Sequence, residues 1–170
     1  MKRGQQILIL TVIVQCTLLT RALSQTHWET AIYAEDTWRY FVGTTAPPAN
    51  WKNLDFDENN WSSGLGGFGY SDGDDNTTIP NTLAVFFRKS FQVDDLDEIL
   101  SAAVHSDYDD GFVAYLNGVE IARSFNMGTS GSVVPYDQTT DSDHEAVMYQ
   151  GGVPDVFILD YNDLSGILQE

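Results

Sequence analysis

Two glycine-bearing patterns sit in one stretch of this chain. Gly69-Tyr70-Ser71-Asp72-Gly73 fits G-x-S-x-G, the nucleophile elbow that lifts a serine beside an oxyanion hole. That chemistry needs a strand-to-helix turn within an α/β sheet, and no helix pattern follows Ser71. His27, His105 and His144 are the histidines, and none has a context that marks it as the base. Gly64-Leu65-Gly66-Gly67-Phe68-Gly69 fits the dinucleotide fingerprint G-x-G-x-x-G. Its flanks, Glu58 to Ser63 and Tyr70 to Asn76, supply neither the strand nor the helix N-terminus that would meet a pyrophosphate, and the acidic side would repel one. Both matches read as glycine-rich loop.

Carboxylates and aromatic rings give the remaining candidates. Asp72, Asp74 and Asp75, with Asn76, could offer hard oxygen ligands to a structural calcium, although the run does not match the full D-x-[DN]-x-[DN]-G loop. Asp107-Tyr108-Asp109-Asp110-Gly111 does not match that loop either. A solvated acidic loop is the plainer reading of each. Trp51, Phe56, Asp57 and Trp61 lie among turn-forming residues. Their rings either plug one end of a β-sandwich or offer a stacking face to a pyranose. Trp51 and Trp61, with Asp109 and Asp110, are therefore the candidate ligand-binding residues. Asn60-Trp61-Ser62 and Asn76-Thr77-Thr78 are formal glycosylation sequons.

The element that must position this chemistry is Asp107 to Arg123, reading DYDDGFVAYLNGVEIAR. Phe112 to Leu116 and Val119 to Arg123 are β-rich runs, and Asn117-Gly118 between them suits a two-residue type I′ turn. Neither face of the hairpin is strictly polar, which predicts cover on both sides. Asp109-Asp110-Gly111 supplies a tight turn just before it. Further strands are expected at Ala31 to Ala34, Thr37 to Val42, Leu83 to Val93, Glu145 to Tyr149 and Val156 to Leu159. Asp163 could cap one helical turn, Leu164 to Leu168. Such a list of short strands predicts an all-β sandwich, most plausibly a jelly roll.

Lys2 and Arg3 precede an uncharged run, Ile7 to Leu19, followed by Ala22 and Ser24. A basic start, an apolar centre too short to span a bilayer and small residues predict a secretory signal over residues 1–24, cleaved after Ser24. An uncleaved anchor is the alternative. Residues 25–170 then form one domain, without the single cysteine, Cys16. They retain five of the 8 basic residues and all 25 acidic ones, so their formal charge is 5 − 25 = −20. That acidity argues against nucleic acid and anionic lipid as partners and suits a secreted or cell-surface protein.

The order Trp51…Phe56-Asp57…Trp61, Gly67-x-Gly69-Tyr70, Phe87-Arg88-Lys89-x-Phe91 and Tyr108-Asp109-Asp110-Gly111…Tyr115-Leu116-Asn117-Gly118…Glu120…Ala122-Arg123, then Asn126-Met127, resembles a galactose-binding-like jelly-roll module. Such modules occur near the N-terminus of secreted bacterial multidomain proteins with a CotH-like (spore-coat-protein-H-like) kinase domain. The resemblance implies a non-catalytic accessory module that binds carbohydrate or positions an attached domain. Its partners would be a glycan and downstream domains of the same polypeptide. It departs at Ser71, where the loop commonly has glycine, and at Glu170, beyond which a closing strand would be expected. On that comparison the sandwich is expected to be incomplete at its C-terminus. Kinase motifs of the H-R-D and D-F-G type do not occur in the sequence. A ligand-free structural spacer, or the N-terminal fragment of a CotH-like kinase, is the alternative reading.

Overall fold

The computed structural model describes residues 26–70 and 73–169. The expected signal segment, Ser71 and Asp72 lie outside the described residues. The fold is all-β. Strands β1 (Thr37–Val42), β2 (Ser62–Leu65), β3 (Phe68–Gly69), β4 (Thr77–Thr78), β5 (Val85–Arg88), β6 (Ser101–Ser106), β7 (Val113–Leu116), β8 (Val119–Arg123) and β9 (Asp155–Asp160) precede one short helix, α1 (Tyr161–Leu164).

Strand β1 is the centre of an antiparallel sheet ordered β2-β1-β5. Its register pairs Arg39 with Ser63 and Arg88, and Phe41 with Phe86. Because side chains alternate along a strand, one face carries Arg39, Phe41, Phe86 and Arg88, and the other carries Tyr40 and Phe87. Each face gathers an aromatic cluster. Phe41 packs against Trp61 and Phe86, whereas Phe68 packs between Tyr40 and Phe87 on the opposite side. Hydrophobic burial thus starts on both faces of this sheet, which explains why β1 and β5 are half-buried along almost their whole length.

Strands β7 and β8 form the expected hairpin. Asn117 and Gly118 have φ of 48° and 87°, the pair of positive values a type I′ turn needs. The turn is also tied down from afar, since Asn117 Nδ2 donates to the Ile167 carbonyl at 2.7 Å. Strand β6 pairs antiparallel with β9 from Ser101↔Asp160 to Ser106↔Asp155. Along β9, Leu159 is 8% exposed while its neighbour Ile158 is 63% exposed, so this two-stranded unit has one packed face and one open face.

Four expectations change. Ala31 to Ala34 is bend and turn, not strand: the Asp36 N–H closes a turn onto the Tyr33 carbonyl, and the exposed Tyr33 has no sheet to pack on. The predicted strand Leu83 to Val93 contracts to Val85–Arg88, the part that pairs with β1. Glu145 to Tyr149 is irregular and leads into a 3₁₀ turn at Met148–Gln150. The helix starts earlier than expected, at Tyr161, with Asp160 as its N-cap; Asp163 instead closes the capping box by accepting the Asp160 N–H at 3.0 Å.

Candidate functional site

The segment leading into the hairpin is a clamp built from short polar side chains. Asp107 accepts the Val147 and Met148 N–H groups at 2.8 and 3.1 Å, which steadies the 3₁₀ turn on the other side. Asp110 sits at φ 51°, a left-handed conformation that aspartate tolerates better than most residues. Its N–H donates to the His144 carbonyl at 2.9 Å, and its carboxylate accepts the His144 N–H at 3.2 Å. The Asp110 carboxylate is therefore engaged in holding the loop. The exposed Asp109 side chain, by contrast, has no hydrogen bond or ion pair with any described residue.

Tyr108, between them, is buried and donates its hydroxyl to Asp155 Oδ2 at 2.7 Å. Burial, reinforced by the Asp155 hydrogen bond and charge, pushes the phenol up to about 12. His144 stacks on the Tyr108 ring with centroids 4.2 Å apart and planes 13° from parallel. Phe125 approaches the His144 ring edge-on at 6.3 Å.

Phe125 is 73% exposed, yet Ser124 and Asn126 on either side of it are 1% and 2% exposed. Ser124 Oγ accepts the Phe112 N–H at 3.0 Å, and the Ser124 N–H donates to the Phe112 carbonyl at 3.0 Å. Asn126 Nδ2 donates to the Asp110 and Ser142 carbonyls at 2.8 and 2.6 Å, and the Asn126 backbone carbonyl accepts the Asp141 N–H at 2.8 Å. Two buried polar residues thus fix the backbone on both sides of a ring that faces solvent. Exposing so large a ring forfeits its burial energy, about 1.5–3 kcal/mol, and the anchors prevent it from turning inward.

The hairpin also holds an ion pair that an unbroken strand could not make. Residues three apart on a regular strand point to opposite faces. Here Tyr115 faces Glu120 and Ala114 faces Ala122, so Ile121 is an extra residue and Glu120 and Arg123 share one face. Arg123 donates from Nε and Nη2 to the two Glu120 oxygens at 3.0 and 2.7 Å. Its remaining donors take the Met127 and Ser132 carbonyls at 2.7 and 2.8 Å, while Ser130 Oγ and the Gly131 N–H donate to Glu120 at 2.8 and 3.1 Å. The Arg123 hydrogen bonds hold the Glu120 carboxyl down to about 2 despite its burial.

The other candidates fall elsewhere. Trp61 is 6% exposed and its ring is occupied by Phe41, Phe56 and Trp51, so it serves the core and presents no stacking face. Half-buried Trp51 contacts Phe86 and Tyr115 edge-on at 5.2 and 5.9 Å. Neither tryptophan adjoins Asp109 or Asp110 through any ring or hydrogen-bond contact, so the four are not assembled into one site. Of the acidic loop, Asp74 is exposed, and the Asp75 carboxylate fills the space beside Gly69, where a Cβ would lie 2.1 Å from Oδ1. No group of three His, Cys, Asp or Glu side chains converges as a metal site among the described residues. The glycine-rich run is explained by packing: a Cβ on Gly66 would stand 1.8 Å from the Ala34 carbonyl oxygen.

Phe125, Ser124 and His144 were not singled out by sequence. The only local signal is an aromatic residue between two small polar ones directly after a strand, and what buries the small pair comes from residues 12 to 16 positions away. No helix among the described residues is long and apolar enough to cross a membrane. Comparisons with family models, curated proteins and solved structures find no match to this chain.

Proposed function

We propose that this chain is a non-catalytic accessory module of an exported protein, and that it binds carbohydrate at the patch formed by Phe125, His144 and Asp109. The observation that carries the proposal is the display of Phe125, held outward by the buried Ser124 and Asn126. A fixed, exposed ring suits a sugar, whose C–H face stacks on it, and the exposed, unengaged Asp109, next in the chain to the Tyr108 on which His144 stacks, offers an acceptor to its hydroxyls. Preorganisation lowers the entropy lost on binding, which matters for a ligand with few contacts. A jelly-roll arrangement of the galactose-binding type, secretion after removal of residues 1–24, and attachment to further domains belong to this same proposal. Its support there is the sequence resemblance together with the all-β fold.

Affinity electrophoresis through gels containing individual soluble polysaccharides tests the reading. Retardation by at least one of them is expected, and Phe125→Ala should weaken it about tenfold with the melting temperature unchanged, the scale of one lost aromatic contact. Asp109→Asn should weaken it as well. Equal retardation of the parent and Phe125→Ala, or no retardation in any gel, would overturn the proposal and favour a ligand-free spacer.

A further inference from the structure

Three of the chain's 8 lysines and arginines, Arg39, Arg88 and Lys89, line one shallow groove of about 200 Å³ over the open end of the β2-β1-β5 sheet. Thr37, Trp38, Glu58, Ser63 and Ser90 complete its walls. In a chain with 25 acidic residues, so local an accumulation of cations is unexpected. Two of the three are internally satisfied. Arg88 donates from Nε to Glu58 at 2.6 Å and from Nη1 to the Trp51 and Asn53 carbonyls; Lys89 lies 3.4 Å from Asp36 and donates to the Thr37 carbonyl at 3.2 Å.

Arg39 differs. Among the described residues it is the arginine with no carboxylate within ion-pair distance, and its hydrogen bond from Nη1 to the Trp61 carbonyl is a long one, 3.5 Å. It also sits directly across from Arg88 in the strand register, with Ser63 as its partner on the other side. Like charges opposite one another on a sheet are destabilising; Glu58 already offsets Arg88, which leaves the Arg39 charge for an anion to offset. We propose that this groove is an oxyanion site, in which the Arg39 guanidinium receives a carboxylate, sulfate or phosphate group with the Ser63 and Ser90 hydroxyls beside it. Glu58 faces the same space, but its charge is matched by Arg88, so the unneutralised charge offered to a ligand is that of Arg39. The volume suits a single anionic group. The proposal stands apart from the carbohydrate reading, which rests on other residues.

The test is ¹⁵N-edited NMR of the arginine Nε–H signals in the full chain, titrated separately with sulfate, phosphate and galacturonate at constant ionic strength. A saturable shift of the Arg39 signal at millimolar ligand is expected. Arg39→Gln, followed through the neighbouring Arg88 signal, should weaken binding about tenfold or more, and Arg39→Lys should weaken it less, because the charge stays while the fork is lost. Lys52→Gln, which removes a cation placed over the Tyr115 ring, should leave binding unchanged. Equal binding of sulfate and phosphate would assign the site to free tetrahedral anions, whereas tighter binding of galacturonate would assign it to an acidic sugar. Absence of a saturable shift with all three, or equal weakening by Arg39→Gln and Lys52→Gln, would overturn the proposal. Phe125→Ala should not alter these titrations, so the two proposals fail independently.

Discussion

Glu120 and Arg123 show how one inserted residue redirects chemistry into structure. Their side chains are 12% and 4% exposed, and the pair closes the loop from Met127 to Ser132 over the hairpin. Since the folded-state carboxyl lies at about 2, below the ordinary value of 4.5, its contribution is complete above pH 4.5 and disappears as pH falls towards 2. Acid should therefore remove on the order of 2–3 kcal/mol in that window. Glu120→Gln should be less stable at pH 7 and show a shallower loss between pH 4.5 and 2 in denaturant titrations. An unchanged acid slope in that variant would contradict the assignment. Tyr108 behaves oppositely. Its phenol is raised from 10.0 to about 12, so its stabilisation holds below pH 10 and is lost as pH rises through 12. Tyr108→Phe should flatten the alkaline decline, checked by melting temperature from pH 9 to 12.

At the level of elements, what could be read from sequence was what local chemistry decides. The Asn117-Gly118 turn was legible because only residues tolerant of positive φ fit a two-residue type I′ connection. Replacing Gly118 with Val should cost roughly 1–3 kcal/mol, since a β-branched residue resists its φ of 87°. An unchanged melting temperature would speak against that turn. Strand β9 was legible as a run of β-prone residues, Val156 to Leu159, whereas which of its faces is packed came only from the structure and predicts the response to mutation. Leu159→Ala should cost about 2–4 kcal/mol, whereas Ile158→Thr on the open face should cost under about 0.5 kcal/mol. What could not be read depends on distant partners. The bulge at Ile121 has no sequence mark, and the strand expected at Ala31 to Ala34 failed because β-propensity needs a neighbouring strand to pair with. The candidate site was missed for the same reason, since Phe125 is displayed by bonds to Phe112, Asp110 and Ser142.

Across the whole molecule, the three-stranded sheet and the hairpin are joined through Trp51. Its ring stacks on Trp61 at 6.2 Å, meets Phe86 edge-on at 5.2 Å and meets Tyr115 of β7 edge-on at 5.9 Å. The loop that carries it is fastened by Arg88, which reaches the carbonyls of Trp51 and Asn53, and by Lys52 lying 4.1 Å above the Tyr115 ring. This arrangement separates the two readings of an aromatic residue that sequence left open. A stacking platform can be truncated with stability intact and binding lost, as proposed for Phe125. A bridging ring cannot, because its removal leaves a cavity between two elements that share few other contacts. Trp51→Ala should therefore cost about 3–5 kcal/mol, and the hairpin should lose protection from hydrogen exchange along with the sheet. Exchange measured at Tyr115 and Ile121 against Phe41 and Phe86 gives the test. If Trp51→Ala keeps its melting temperature and only carbohydrate retardation falls, Trp51 belongs to the ligand surface and the join between sheet and hairpin lies elsewhere.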